Sequence, residues 1–256
     1  VNTKTPGGSY LVSVNGTDKL KLFDGTTWTD IDNTSTPAIT GVATTTLSQV
    51  ALIKKRLWFV QKDTMSAWYL SALAIAGAAV EFPLGSVFAR GGHLVAITNW
   101  TVDGGNGSDD YTVFASSEGE VAVYQGIDPG TADTFKHVGT YYIGEPLGNR
   151  CFCKFGGDVL FLCQNGLVPL SKALQSTVVN KQAALTSKID TAFSKAASTY
   201  HGNKGWSVCV YPAGNLVIVN IPISSTTTQQ YVMNAITGAW CKFTGIFAHD
   251  WVVFGS

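Results

Sequence analysis

The densest run of chemistry-bearing side chains is Asp103-Gly104-Gly105-Asn106-Gly107-Ser108-Asp109-Asp110. Gly104 to Tyr111 fits the GGxGxDxU pattern of calcium-binding β-roll repeats, in which carbonyls and a carboxylate surround the ion. Asp103, Asn106, Asp109 and Asp110 are the candidate ligands. Such a site is completed by the turn of a neighbouring repeat, and the sequence carries a single copy. The residues therefore predict a solvated loop, with calcium as the alternative, and no other cofactor.

Catalytic constellations are not assembled by the sequence. GxSxG is absent, and His93, His137, His201 and His249 stand in no nucleophile–base pattern, so each is expected on a surface or a strand. The acids are scattered, which supplies no carboxylate pair for glycoside hydrolysis. Gly91-Gly92 and Gly156-Gly157 precede no helix start and read as turns rather than phosphate cradles. Cys151, Cys153, Cys163, Cys209 and Cys241 are odd in number and lack CxxC spacing, which fits neither a disulfide framework nor a zinc site. Buried free thiols in a reducing compartment are expected. These residues predict a protein that is not an enzyme.

Composition narrows the classes further. Apolar residues make up 45% of the 256, while charged residues make up 13%, about half the usual ~25%. Lys plus Arg and Asp plus Glu number 17 each, for zero formal net charge. That balance argues against a dedicated nucleic-acid binder. It also points to permanent assembly, because chains with little net charge associate readily. The basic triplet Lys54-Lys55-Arg56 reads as the solvated start of a strand. The longest apolar stretch, Tyr69 to Leu84, spans 16 residues and includes Glu81 and Pro83, too short and too interrupted for a membrane span.

The elements that must position these residues are hairpins. Tyr10–Val14 with Leu20–Phe23, Leu57–Val60 with Ala67–Leu70, Tyr111–Ala115 with Val121–Tyr124, Val159–Leu162 with Leu167–Leu170, and Trp206–Val210 with Leu216–Val219 each pair two apolar, β-branched runs. The turns between them are short and polar. Turn centres fall near positions 16, 64, 119, 166 and 214. A period of ~45–50 residues with about four strands is the signature of a propeller blade. Outer strands are expected over His93–Thr98 and Thr134–Ile143. Phe23-Asp24-Gly25-Thr26-Thr27-Trp28 and Asn234-Ala235-Ile236-Thr237-Gly238-Ala239-Trp240 both place a glycine turn before a tryptophan, expected to pack between blades. The first of these resembles the Asp-box turn of sialidase propellers, a structural turn.

From 173 to 202 strand alternation stops. Leu185, Ile189, Phe193, Ala196 and Tyr200 recur at helical spacing, opposite Lys188, Asp190, Thr191 and Lys195. The fold class expected is mainly β, with propeller-like repeats of antiparallel hairpins and one helical insertion. Hairpin repeats would fill 1–172, the insertion 173–202, and further blades 203–256. Both ends read as cuts in a longer protein.

Several runs carry a family resemblance: Arg56-Leu57-Trp58-Phe59, Phe88-Ala89-Arg90-Gly91-Gly92, Ser117 to Gly126, Asp128-Pro129, Gly144 to Gly148, Gly156-Gly157-Asp158, Asn165 to Ser171 and Tyr231 to Trp240. Together they resemble a family of tailed-phage virion proteins, the β-propeller-like nozzle proteins of short-tailed phages. The resemblance implies a homo-oligomeric ring, six subunits, in the virion tail, assembled in the host cytoplasm. It implies an adaptor protein as neighbour and passage of DNA during ejection without sequence-specific binding. The alternative is a carbohydrate-binding or host-surface-binding propeller.

Overall fold

The computed structural model describes residues 1–103, 108–174 and 181–253. Five sheets follow one another along the chain. The first is β1 (Asn2–Thr5), β2 (Gly8–Ser13), β3 (Leu20–Phe23) and β4 (Trp28–Ile31), paired in chain order. A two-residue strand β5 (Ile39–Thr40) precedes the second sheet, built from β6 (Leu47–Ile53), β7 (Arg56–Gln61), β8 (Ser66–Tyr69) and β10 (Val80–Pro83). Between β8 and β10, β9 (Gly77–Ala78) pairs in parallel with β5. The third sheet is β11 (Leu94–Asp103), β12 (Ser108–Ser116), β13 (Glu120–Gly126) and β14 (Phe135–Tyr142).

The fourth sheet has three strands, β15 (Phe152–Phe155), β16 (Asp158–Cys163) and β17 (Gly166–Pro169). After β17 the chain turns directly into α1 (Leu170–Ala173) instead of adding a fourth strand. The fifth is β18 (Ser207–Tyr211), β19 (Leu216–Pro222), β20 (Thr228–Asn234) and β21 (Trp240–Phe243). The first, second, fourth and fifth sheets are antiparallel throughout. The protein is mainly β, a propeller-like series of meanders with one helical insertion.

The chain divides into two compact units: Val1–Asn99, Asp109–Ser117 and Ala122–Thr140 form the first, and Trp100–Ser108, Glu118–Val121 and Tyr141–Ser256 the second. In the first, β7 shows why its sequence is continuously apolar. Four successive residues, Leu57 to Val60, are buried. Because side chains alternate across a strand, Trp58 and Val60 join a core with Leu94, Phe114, Tyr124 and Phe135. Leu57 and Phe59 face the other way, into a core with Val12, Leu20, Leu22 and Ile31. The second sheet is thus covered on both faces, as a stacked blade requires.

All five predicted hairpins are present. The even spacing of their turns nevertheless misleads about the last one. In the first three sheets the predicted pair is the inner pair, whereas in the fifth it is the outer pair β18–β19. The inner turn there lies at 223–227, where Ile223 N and Ser224 N donate to Thr227 O. The insertion between the fourth and fifth sheets shifts the phase of the repeat.

Within that insertion, 3-10 turns span Lys181–Ala183 and Leu185–Ile189 before α2 (Asp190–Tyr200). The part of the expected helix at 175–180 lies outside the described residues. Phe193 and Ala196 are buried as expected, along with Ala197. The helix packs on its own unit: Phe193 meets Trp206 edge-on at 6.3 Å, Tyr231 Oη donates to Ala192 O, and Trp240 Nε1 donates to Leu185 O. No helix among the described residues is long and apolar enough to cross a membrane.

Candidate functional site

Asn106 lies outside the described residues, as do the side chains of Asp103 and Asp109. Asp110 is half-buried on β12. Among the described residues no group of three or more His, Cys, Asp or Glu side chains stands together as a metal site.

The glycine–tryptophan echo has a different meaning from the one the sequence suggests. Asp24 Oδ1 accepts from Thr27 N at 2.7 Å and Thr26 N at 2.8 Å. Those bonds, Thr27 first, hold its carboxyl below the ordinary carboxylate value. Asn234 Oδ1 accepts from Ile236 N and Thr237 N in the same way. The repeated feature is an Asx turn closing a hairpin. Trp28 does not pack between blades: it is 51% exposed and stacks on Phe23 of its own hairpin at 4.9 Å.

Lys54-Lys55-Arg56 is likewise more than a solvated strand start. Lys54 and Lys55 both adopt positive φ, 49° and 63°, and make the tight β6–β7 turn. Lys54 Nζ donates to Gly126 O at 2.6 Å, and Arg56 Nη2 pairs with Asp128 Oδ1 at 3.0 Å. The turn is pinned to the segment after β13. Gly126, with φ 138°, is required there because a Cβ would overlap the Thr134 carbonyl.

Segments around Gly119, Gly144 and Asn165 meet in the second unit. Ile143 N and Gly144 N donate to Gly119 O. Asn165 Nδ2 donates to Ile143 O, and Gln164 N to Glu145 O. Gly119 and Gly144 both have positive φ, and a Cβ on Gly119 would strike the Gly144–Glu145 peptide. Gly119 and Gly144 are joints of the scaffold.

The cysteines are all free. Burial pushes the Cys163 thiol up to about 12 and Cys151 higher still. Cys241, in contrast to the expectation of buried thiols, is exposed. A maleimide under native conditions is therefore expected to modify Cys241 first and to leave Cys151 and Cys163 intact until the chain unfolds, because only the thiolate attacks. Peptide mass spectrometry checks this, and early labelling of Cys163 contradicts its burial. The unfolded chain releases these protons first, so each buried thiol lowers stability as pH climbs from 9.0 toward about 12, by about 1.4 kcal/mol per pH unit.

Sequence reasoning missed a polar network in the fifth sheet. Asn220 and Gln230 are both 0% exposed. Asn220 Nδ2 donates to Gly205 O at 2.9 Å and His249 O at 3.5 Å, while its Oδ1 accepts from Gln230 Nε2 at 2.9 Å and Trp251 Nε1 at 3.3 Å. Gln230 Nε2 also donates to Ile246 O, and Thr228 Oγ1 reaches Ile246 O and Ala248 O. These buried side chains clamp the irregular segment 244–251 by its carbonyls. The only signal in the sequence was polarity, Thr228-Gln229-Gln230, in a segment that is otherwise a buried strand.

The histidines separate. His137 Nε2 lies 2.9 Å from Thr140 Oγ1 and its ring sits 5.0 Å from Tyr124. His201 and His249, 48 positions apart in the chain, line one cleft of about 520 Å³ together with Arg150, Lys204, Ser207 and Asp250. Another cleft, of about 440 Å³, lies beside the Lys19–Asp32 pair, in which the Lys19 ammonium, followed by Thr34 N–H, holds the Asp32 carboxyl far below its ordinary value.

Neither a protein-family model nor a curated protein matches the sequence. Among solved structures, the chain is similar to β-propeller domains. The Cps50 (Swd1) β-propeller domain of Myceliophteria thermophila is 12% identical, over 96% of this chain and 73% of that one, with a TM-score of 0.48. A candidate 6-phosphogluconolactonase from Bacteroides uniformis is 14% identical, over 94% and 69%, with a TM-score of 0.43. The Nup133 β-propeller domain of Vanderwaltozyma polyspora is 7% identical, over 95% and 55%, with a TM-score of 0.33. The fold assignment rests on the meanders themselves.

Proposed function

We propose that the chain is a structural component of a tailed-phage virion, a nozzle or tail-tube-associated subunit. Identical copies close into a ring of six that joins an adaptor and channels DNA during ejection without reading its sequence. The role is mechanical rather than catalytic. The observation that carries the reading is the outward apolar surface of a chain with zero net charge. Trp28, Ile127, Ile236, Phe247 and Val252 are all more than half exposed, on strand ends, turns and the C-terminal segment. Large exposed apolar side chains on a weakly charged surface favour burial against neighbours. The family resemblance supports the same reading, since its runs meet at scaffold joints such as Gly119 and Gly144.

Mass photometry of the purified chain tests the proposal. A particle six times the 27.2 kDa chain is expected. A monomer that binds glycans would overturn it in favour of a host-surface-binding propeller.

A further inference from the structure

A cleft opens where the fourth sheet begins and the fifth sheet begins. Its walls are the loop 148–150 before β15, the loop 201–206 after α2, and residues 249–250. The helix stops at Tyr200, whose carbonyl accepts from Asn203 N and from Trp206 Nε1 at 2.8 Å. Asn203 Nδ2 donates to Pro222 O and Ile223 O, which fixes the loop to the end of β19. Asn220 holds Gly205 O and His249 O with one amide group, so two walls share an anchor. Gly148, with φ 74°, lets the third wall close on Trp206, which a Cβ would meet at 3.1–3.2 Å.

The groups that line this frame are cationic or hydrogen-bonding. Arg150 Nη1 pairs with Asp250 Oδ2, and both side chains are substantially exposed. A guanidinium has five N–H donors, so most of Arg150's remain available. Such an exposed pair is also weakly held. Lys204 makes no hydrogen bond or ion pair among the described residues. Asp250 is the one acid in the lining, against Arg150 and Lys204, and His201 and His249 add two imidazoles. His201 turns Nδ1 toward Ser198 O. Ser207, also in the lining, is 4% exposed, and its Oγ is buried with no hydrogen-bond partner.

We infer that this cleft binds a small phosphate monoester. A carboxylate is satisfied by one bidentate arginine, whereas a phosphate presents three terminal oxygens and two negative charges, which suit separate guanidinium, ammonium and imidazole donors. The volume of about 520 Å³ lies within the range of small-molecule sites and exceeds what inorganic phosphate alone needs. A hydroxylated organic portion of sugar size would then lie toward Asn149. An adjoining cleft lined by Ser224 and Ser225 shares Gly202–Gly205 and His249 and extends the polar surface. This site is independent of the assembly reading.

Calorimetric titration of the full chain with ribose 5-phosphate, inorganic phosphate and uncharged ribose, at matched ionic strength, tests the inference. Saturable binding of ribose 5-phosphate, weaker binding of inorganic phosphate and none of ribose are expected. Lys204→Ala and Arg150→Ala, both at exposed positions, should each weaken ribose 5-phosphate at least tenfold with unchanged unfolding midpoints. Heats indistinguishable from sodium chloride, binding of inorganic phosphate but not of the monoester, or full affinity in the double variant would overturn it.

Discussion

Trp58→Ala is expected to lower the free energy of unfolding by about 3–5 kcal/mol, the usual cost of truncating a large aromatic in a core. Trp58 is 2% exposed and lies within 6 Å of four rings: Tyr69 at 5.0 Å, Phe82 and Phe114 at 5.7 Å, and Phe135 at 5.9 Å. These rings come from the second and third sheets, so the substitution removes the packing that joins one meander to the next within the first unit. Urea denaturation followed by circular dichroism measures it. Trp28→Ala is the matched control, at about 0.5 kcal/mol or less in the unassembled chain, where that ring is half in solvent. A cost for Trp58→Ala below that of Trp28→Ala would contradict the stacked arrangement of β7.

Asn220→Ala is expected to cost about 3 kcal/mol and to release segment 244–251. Its amide bonds to four groups, Gly205 O, His249 O, Gln230 Nε2 and Trp251 Nε1. Each buried group orphaned costs about 1–3 kcal/mol, offset where Gln230 keeps its bonds to Thr228 Oγ1 and Ile246 O. Limited proteolysis checks the structural half: cleavage beyond Phe243 should accelerate in the variant while the strands of the fifth sheet stay intact. Unchanged protection of the segment would show that the apolar contacts of Trp251, not the polar clamp, hold it. In the same variant the wall that carries His249 loosens, which couples this clamp to the cleft.

The hairpins were legible in the sequence because both of their determinants are local. Alternation with β-branched residues marks the strands, and Gly with Asn or Asp marks the turns. The continuous burial of Leu57–Val60 was visible as an unbroken apolar run, though which core each residue joins depends on neighbours far along the chain. The last inner hairpin was not legible. β20 reads Thr228-Gln229-Gln230, polar residues whose burial makes sense only once segment 244–251 lies over them. The same holds for Lys54, whose partner Gly126 is 72 positions away. The cleft is the extreme case: Arg150, Lys204 and His249 come from three separated segments, and no spacing rule links them. In the insertion, periodicity found the face containing Phe193 and Ala196. It could not tell that Leu185–Ile189 winds as a tighter 3-10 turn, since residues three apart fall on one side in both kinds of helix.

Electron microscopy of the purified chain bears most directly on the assembly reading. The account predicts closed rings of six identical copies around an open centre, with the apolar positions Trp28, Ile127, Ile236 and Phe247 drawn into contacts between subunits. Particles that remain single 27.2 kDa chains at every concentration, with those side chains still in solvent, would contradict it.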